Sequence, residues 1–189
     1  MYVNVFTKMK GVSMPKIIEN VREQLLIEAK RQISENGYAK TTIRSVASAC
    51  NLGVGTVYNY FKSKDVLIAS FMLDDWQVCL KEMKTKSTSN NKHFLQGIYI
   101  SLLDFTDKHT SLFQDNDAAK VFATAFTERH RLIRDQLADI IQPICDQTAH
   151  QNKRFLAEFI SESLLIWTMA GKPFDEIYSV IDPLLKKYI

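Results

Sequence analysis

Residues 41–67, TTIRSVASACNLGVGTVYNYFKSKDVL, constrain the fold more than any other part of the chain. Two short stretches of helical periodicity flank Asn51-Leu52-Gly53. Asn and Gly tolerate the backbone values that a tight turn needs. Ile43, Val46, Ala47 and Cys50 make one apolar face, and Val54, Val57 and Phe61 make the other. Thr41 and Thr42 are placed to cap the first short helix through a side-chain oxygen. Ser63 is placed to cap a longer helix, with Asp65 in its first turn, where the helix dipole favours negative charge. The layout predicts a helix-turn-helix, whose second helix spans about residues 54–61.

The rest of the chain reads as helix too. Its 189 residues hold only six Gly and four Pro, too few for a strand-and-turn architecture. From Lys16 to Asn36, apolar residues fall at helical spacing, and Gly37 follows as a natural stop. The helix opened by Ser63 runs to about Lys84, long enough to bridge two domains. Lys84–His93 is polar and low in complexity, and is expected to be a loop. Helices are then expected over about 92–108, from Asp115 or Asp117 towards Thr148, over 151–170, and from Pro173 onward. Pro143 is expected to kink its helix or start a new one, and Pro183 to kink or end the last. Gly171 closes the helix before Pro173. The expected fold is all-α: a helix-turn-helix unit over 16–64, a second helical unit over 65–189, and a loose arm over 1–15. Met14 is an alternative start.

Charge divides the chain in the same way. Residues 1–64 carry ten Lys/Arg and four Glu, whereas residues 65–189 carry fourteen Lys/Arg and seventeen Asp/Glu. A basic first third suits a nucleic-acid-facing unit, and a mildly acidic remainder suits another role. No apolar run is long enough to span a bilayer, and the first residues lack a secretory pattern. A cytoplasmic protein with no membrane partner is expected. Cys50, Cys79 and Cys145 are odd in number and far apart, as for small apolar residues rather than disulfides or zinc ligands. His93, His109, His130 and His150 lack metal-binding spacing. No nucleophile–base or paired-carboxylate spacing is visible, so neither catalytic residues nor cofactors are expected.

On the second helix of the motif, Gly55, Thr56, Tyr58, Asn59 and Tyr60 occupy exposed positions. Gly55 lets the backbone approach a groove. Thr56, Tyr58 and Asn59 offer hydrogen bonds and apolar contact to base edges or phosphates. Lys62 and Lys64 stand where a lysine and free backbone N–H groups can hold a phosphate. Arg44 is placed to reach a base edge or a neighbouring phosphate.

Gly37-Tyr38, Thr41-Thr42, Ile43, Val46-Ala47 and then LGVGTVYNYFKSKDVL together resemble the DNA-binding domain of the TetR family of bacterial regulators. The resemblance covers about residues 20–70. Many members carry Ala-Gly where this chain has Cys50-Asn51, and Asn also adopts the turn conformation. The resemblance implies an all-helical homodimer on a palindromic double-stranded DNA operator. It also implies a C-terminal domain that binds a small-molecule effector. Thr42, Arg44, Thr56, Tyr58, Asn59, Tyr60 and Lys64 match positions that contact DNA in relatives. The expected function is transcriptional regulation, usually repression in such a family, with release by a hydrophobic effector. Effector binding would move the long helix and change the separation of the two recognition helices. Half-sites one turn apart, about 34–36 Å, would then no longer fit both. The alternative is an effector-independent architectural or division-control protein on the same fold.

Relatives line a cavity with the helices of the second unit. By that resemblance Trp76, Phe105, Phe113, Phe126 and Trp167 are candidate effector contacts, although aromatics at helical spacing are usually core. The helix over 151–170 is apolar on more than one face, so it must be covered on more than one face. An internal central position and a partner subunit both answer that need, and a palindromic operator favours the partner. Phe155, Phe159, Leu164 and Ile166, with Ile177, Ile181 and Leu185 of the last helix, are the expected dimer interface.

Overall fold

The computed structural model describes residues 20–86 and 90–186, with side chains throughout except at 119–129. The expected arm over 1–15, the first residues of the first helix and the Phe126 side chain lie outside what is described. Among the described residues every regular element is helical. In chain order these are α1 (Val21–Lys40), α2 (Ile43–Ala49), α3 (Val54–Tyr60), α4 (Lys64–Thr85), α5 (Asn91–Lys108), α6 (Thr110–Phe113), α7 (Asn116–Asp146), α8 (Lys153–Met169) and α9 (Phe174–Ile181). A 3₁₀ turn, Asp182–Leu185, follows. None of these helices is long and apolar enough to cross a membrane.

Two hydrophobic cores share α4. Leu25, Ala29 and Ile33 of α1 meet Val46, Ala47, Val57 and Phe61 in the first. Leu67, Ile68 and Phe71 of α4 join it, as do Leu112 and Ala118. The second core begins at Trp76 and takes Leu80 and Met83 of α4, Leu95 and Ile98 of α5, Leu137 and Ile141 of α7, and Ile160 and Leu164 of α8. The change of core therefore falls inside α4, between Phe71 and Trp76. The expected boundary at residue 64 lies about two helical turns before this change, and the first two turns of α4 pack in the N-terminal core. At about 1.5 Å per residue, α4 is a rod of roughly 33 Å running through both.

Local chemistry explains where the first elements turn. Gly37 sits at φ +79°, a left-handed conformation that side chains disfavour, and it redirects the end of α1. Tyr38 then tucks inward, and its hydroxyl donates to Asp65 Oδ1 at 2.6 Å. Thr42 Oγ1 accepts the Ser45 N–H, and Ser45 Oγ accepts the Thr42 N–H, both at 3.0 Å. This reciprocal cap satisfies two otherwise orphaned donors at the start of α2. Ser63 Oγ accepts the Val66 N–H and opens α4.

In the second unit, α7 runs unbroken through Pro143, so the expected kink or restart does not divide the helix. Pro143 lies within the last turn of α7, where the lost N–H bond costs less than at the centre of a helix. Near the other end of the chain, α9 stops at Ile181 and tightens into the 3₁₀ turn that holds Pro183.

Candidate nucleic-acid interface

The turn between α2 and α3 is built from backbone bonds. Asn51 adopts φ +55°, and the Leu52 N–H donates to the Ala47 carbonyl at 2.9 Å. Asn is one of the few non-glycine residues that enters this region at modest cost. Gly53 then caps α3, and its carbonyl accepts the Thr56 N–H. Val57 is the one fully buried residue of α3 and pins the helix to α2 and α1. Everything else on α3 is exposed or half-buried.

That arrangement leaves most of the expected contact residues open to solvent. Arg44, Gly55, Tyr58, Asn59, Tyr60 and Lys62 are exposed, and Thr56 is half-buried. Tyr58 is 51% exposed and Tyr60 48%, which is a large apolar exposure for a helix with so small a buried face. Phe61, beside Tyr60, is buried instead and belongs to the core. Residues 36–64 contain four basic side chains, Lys40, Arg44, Lys62 and Lys64, and no acidic one. Phosphate therefore meets no carboxylate on this stretch of chain.

Two of the expected contacts are already engaged within the chain. Thr42 is the N-cap of α2, and its side-chain oxygen accepts the Ser45 N–H. The Lys64 ammonium donates to the Tyr38 carbonyl at 3.0 Å and lies 3.5 Å from the centre of the Tyr38 ring. Such a cation over a ring face is worth about 0.5–2 kcal/mol. Lys64 thus ties the Gly37–Tyr38 bend to α4, while Lys62 extends unengaged from the turn before it.

Of the expected effector residues whose side chains are described, Trp76, Phe105 and Phe113 lie along one run of aromatic contacts through His109, and Trp167 lies apart. Trp76 is 3% exposed and packed in the second core, and its indole N–H donates to Gln136 Oε1 at 2.8 Å. Phe105 meets Trp76 edge-on with centroids 5.4 Å apart, and Phe113 is half-buried beyond His109. Trp167 is 47% exposed on the outer face of α8, so it lines no internal cavity here.

The expected dimer residues split in two. Phe155, Phe159 and Ile166 are exposed on α8, at spacings of four and seven residues, with Met169 continuing the stripe. Leu164, Ile177, Ile181 and Leu185 are buried in the second core of a single chain. Periodicity marks both faces of α8 as apolar. The fold turns one of them inward and leaves the other, Trp167 included, uncovered.

The residues that the sequence did not single out lie where the two cores meet. Asp75 Oδ2 is 2.6 Å from Lys30 Nζ and 3.1 Å from His109 Nε2, so one carboxylate joins α1, α4 and the α5–α6 turn. The available signal was Phe105, His109 and Phe113 at four-residue spacing, which puts a histidine on an aromatic helix face. Among the described residues no group of His, Cys, Asp and Glu forms a metal site.

Comparison with known proteins agrees with this geometry. Residues 25–71 match the family model for bacterial regulatory proteins of the tetR family. The chain is 37% identical over 57 residues to the HTH-type transcriptional regulator HbdR of Aromatoleum sp. (strain CIB), covering 30% of this chain and 25% of that protein. It is 30% identical over 105 residues to the uncharacterized HTH-type transcriptional regulator YhgD of Bacillus subtilis (strain 168), covering 50% and 53%. The chain thus spans from a quarter to about half of the length of these two relatives. The fold resembles a transcriptional regulator from Rhodococcus sp. Rha1, with a TM-score of 0.63 at 15% identity over 87% of this chain and 94% of that one. With the helix-turn-helix in register, residues 25–71 match the DNA-binding domain of the tetR family of bacterial regulatory proteins, and the helical second unit behind it shares the fold of solved transcriptional regulators.

Proposed function

We propose that the protein is a sequence-specific DNA-binding transcriptional regulator that acts as a homodimer on a palindromic operator. The observation that carries this reading is the acid-free face of α2 and α3, with Tyr58, Asn59 and Arg44 projecting from it. Tyr58, Asn59 and Thr56 read base edges, and Lys62 and Arg44 hold phosphates. Thr42 and Lys64 position the unit through the α2 cap and the Tyr38 strut. Lys64 keeps its charge close to the phosphate path but is not the main anchor.

The exposed stripe of α8 supports the dimer. Phe155 at 59% and Ile166 at 44% exposure are costly to leave in water, and a second copy covers them isologously. Regulation follows from α4, which is common to both cores. A ligand that shifts α4 or α6 changes the separation of two α3 helices in the dimer. We read the outcome as repression relieved by a small effector. Coupling of this kind is typically about 1–3 kcal/mol and is reciprocal.

Selection of bound sequences from a random DNA pool at fixed salt tests the reading. A palindrome with half-sites one helical turn apart is expected. Binding without sequence preference would overturn it.

A further inference from the structure

A partly open cleft of about 310 Å³ lies beside the N-terminal core, where the α5–α6 turn meets α1 and α4. α1 supplies Lys30, Ile33 and Ser34, and α4 supplies Phe71. The end of α5 and the turn into α6 supply Asp107, Lys108, His109 and Ser111. The volume sits at the small end of the range for ligand sites, about 300–1,000 Å³. It is enough for a molecule of roughly ten heavy atoms.

His109 is the unusual group here. It is 2% exposed and stacks on Phe71, with centroids 5.9 Å apart. Its Nε2 lies 3.1 Å from Asp75 Oδ2 and has no other polar partner, and that contact falls short of full hydrogen-bond geometry. Asp75 is already committed to Lys30 at 2.6 Å. A buried polar atom without a well-directed partner carries a desolvation cost. A ligand that supplies the partner recovers that cost.

We propose that this cleft binds a small monocarboxylate with a short apolar body. The carboxylate sits between Lys108 and the His109 imidazole, with the Ser34 and Ser111 hydroxyls as further donors. The apolar body rests on Phe71 and Ile33. Before binding, Lys30 and Lys108 are balanced by Asp75 and Asp107, so a second negative charge on the ligand would go uncompensated. A single carboxylate is compensated by one proton taken up at His109. Burial first, then Lys30 and Lys108, hold the imidazole neutral in the free protein, while Asp75 opposes them. The site contacts α1, α4 and α6 at once, so its occupant bears directly on the orientation of the N-terminal unit. That regulatory consequence rests on the effector-responsive reading above; the binding itself does not.

The test is calorimetry of the full chain with phenylacetate as probe and phenylacetamide as its neutral counterpart. Saturable binding of one phenylacetate per chain is expected, tightening between about pH 7.5 and 5.5 with net proton uptake. Lys108→Met, at an exposed position that folding tolerates, is expected to weaken binding at least about tenfold. His109→Phe is expected to weaken it and to abolish proton uptake. Equal binding of acid and amide, or unchanged binding in Lys108→Met, would overturn the site. A parallel anisotropy titration with the selected operator separates the two readings. Phenylacetate that binds without changing operator affinity leaves the site standing and removes the switch. A chain that binds phenylacetate but no DNA removes the regulator reading alone.

Discussion

His109 makes the junction of the two cores sensitive to acid, and the size of that effect follows from its surroundings. The ring is enclosed by Phe71, Phe105 and Phe113, with centroid distances of 5.9, 4.7 and 6.4 Å. Desolvation is the largest influence on it and favours the neutral imidazole. The Asp75 carboxylate pulls the other way, and the Lys30 and Lys108 ammoniums add to desolvation. The balance depresses its pKa from 6.5 to about 4. The unfolded chain thus takes up a proton at a pH where the folded chain does not. Folding stability is complete above about pH 6.5 and falls as the pH drops through the interval down to 4. At about 1.4 kcal/mol per pH unit, the loss is about 1 kcal/mol near pH 5.5 and approaches roughly 3 kcal/mol near pH 4. Urea unfolding of wild type and His109→Phe, followed by circular dichroism at about pH 7, 5.5 and 4.5, measures it. Phenylalanine keeps the aromatic packing and removes the titration. The gap between the two proteins should move in favour of the variant as the pH falls. Parallel stability curves would show that His109 does not titrate across this range, and the argument from burial would fail.

Other expectations follow from the same residues. Thr42→Ala removes the reciprocal cap of α2 and should lower stability by about 1 kcal/mol, read as a drop in melting temperature. Leu164→Ala empties a core position and should cost about 2–5 kcal/mol without changing the subunit association constant, whereas Phe155→Asp should dissociate the dimer in sedimentation at little cost to the monomer. A Leu164→Ala protein that dissociates while remaining stable would return that residue to the interface. Lys62→Ala should weaken binding to all DNA sequences alike and reduce the salt slope by about one. Tyr58→Ala and Asn59→Ala should instead alter the preference among sites. Indistinguishable binding profiles for these three variants would undo the division between phosphate and base contacts.

Much of the N-terminal unit was legible because its signals are local. Asn51 and Gly53 mark a turn whose backbone demands residues of their kind, and Thr42 and Ser63 mark helix starts through bonds that span three residues. The exposed set on α3 followed once Val57 was recognised as the inward position. The second unit was less legible because periodicity identifies apolar faces without saying what covers them. α8 carries apolar residues on opposite sides, and both Leu164 and Ile166 were expected at the interface. Trp167 was expected to line a cavity because relatives line one with these helices, but it is exposed beside the α8 stripe. Lys64 looked like a phosphate anchor because its partner, the carbonyl of Tyr38, is 26 residues earlier in the chain.

The all-helical class, the turn at Asn51–Gly53, the caps at Thr42 and Ser63, and the basic character of the first third are all local properties of the chain. Each depends on backbone preference, side chains a few residues apart, or charge summed along the chain. Packing between distant elements is what places α4 in both cores, buries one face of α8 while leaving the other free, and makes Lys30, Asp75 and His109 meet. These three residues are separated by 45 and 34 positions, and nothing in their own neighbourhoods requires them to approach. Packing of α1, α4 and the α5–α6 turn around a shared apolar interior brings them together. The low-dielectric setting that results holds the histidine neutral beside a cleft.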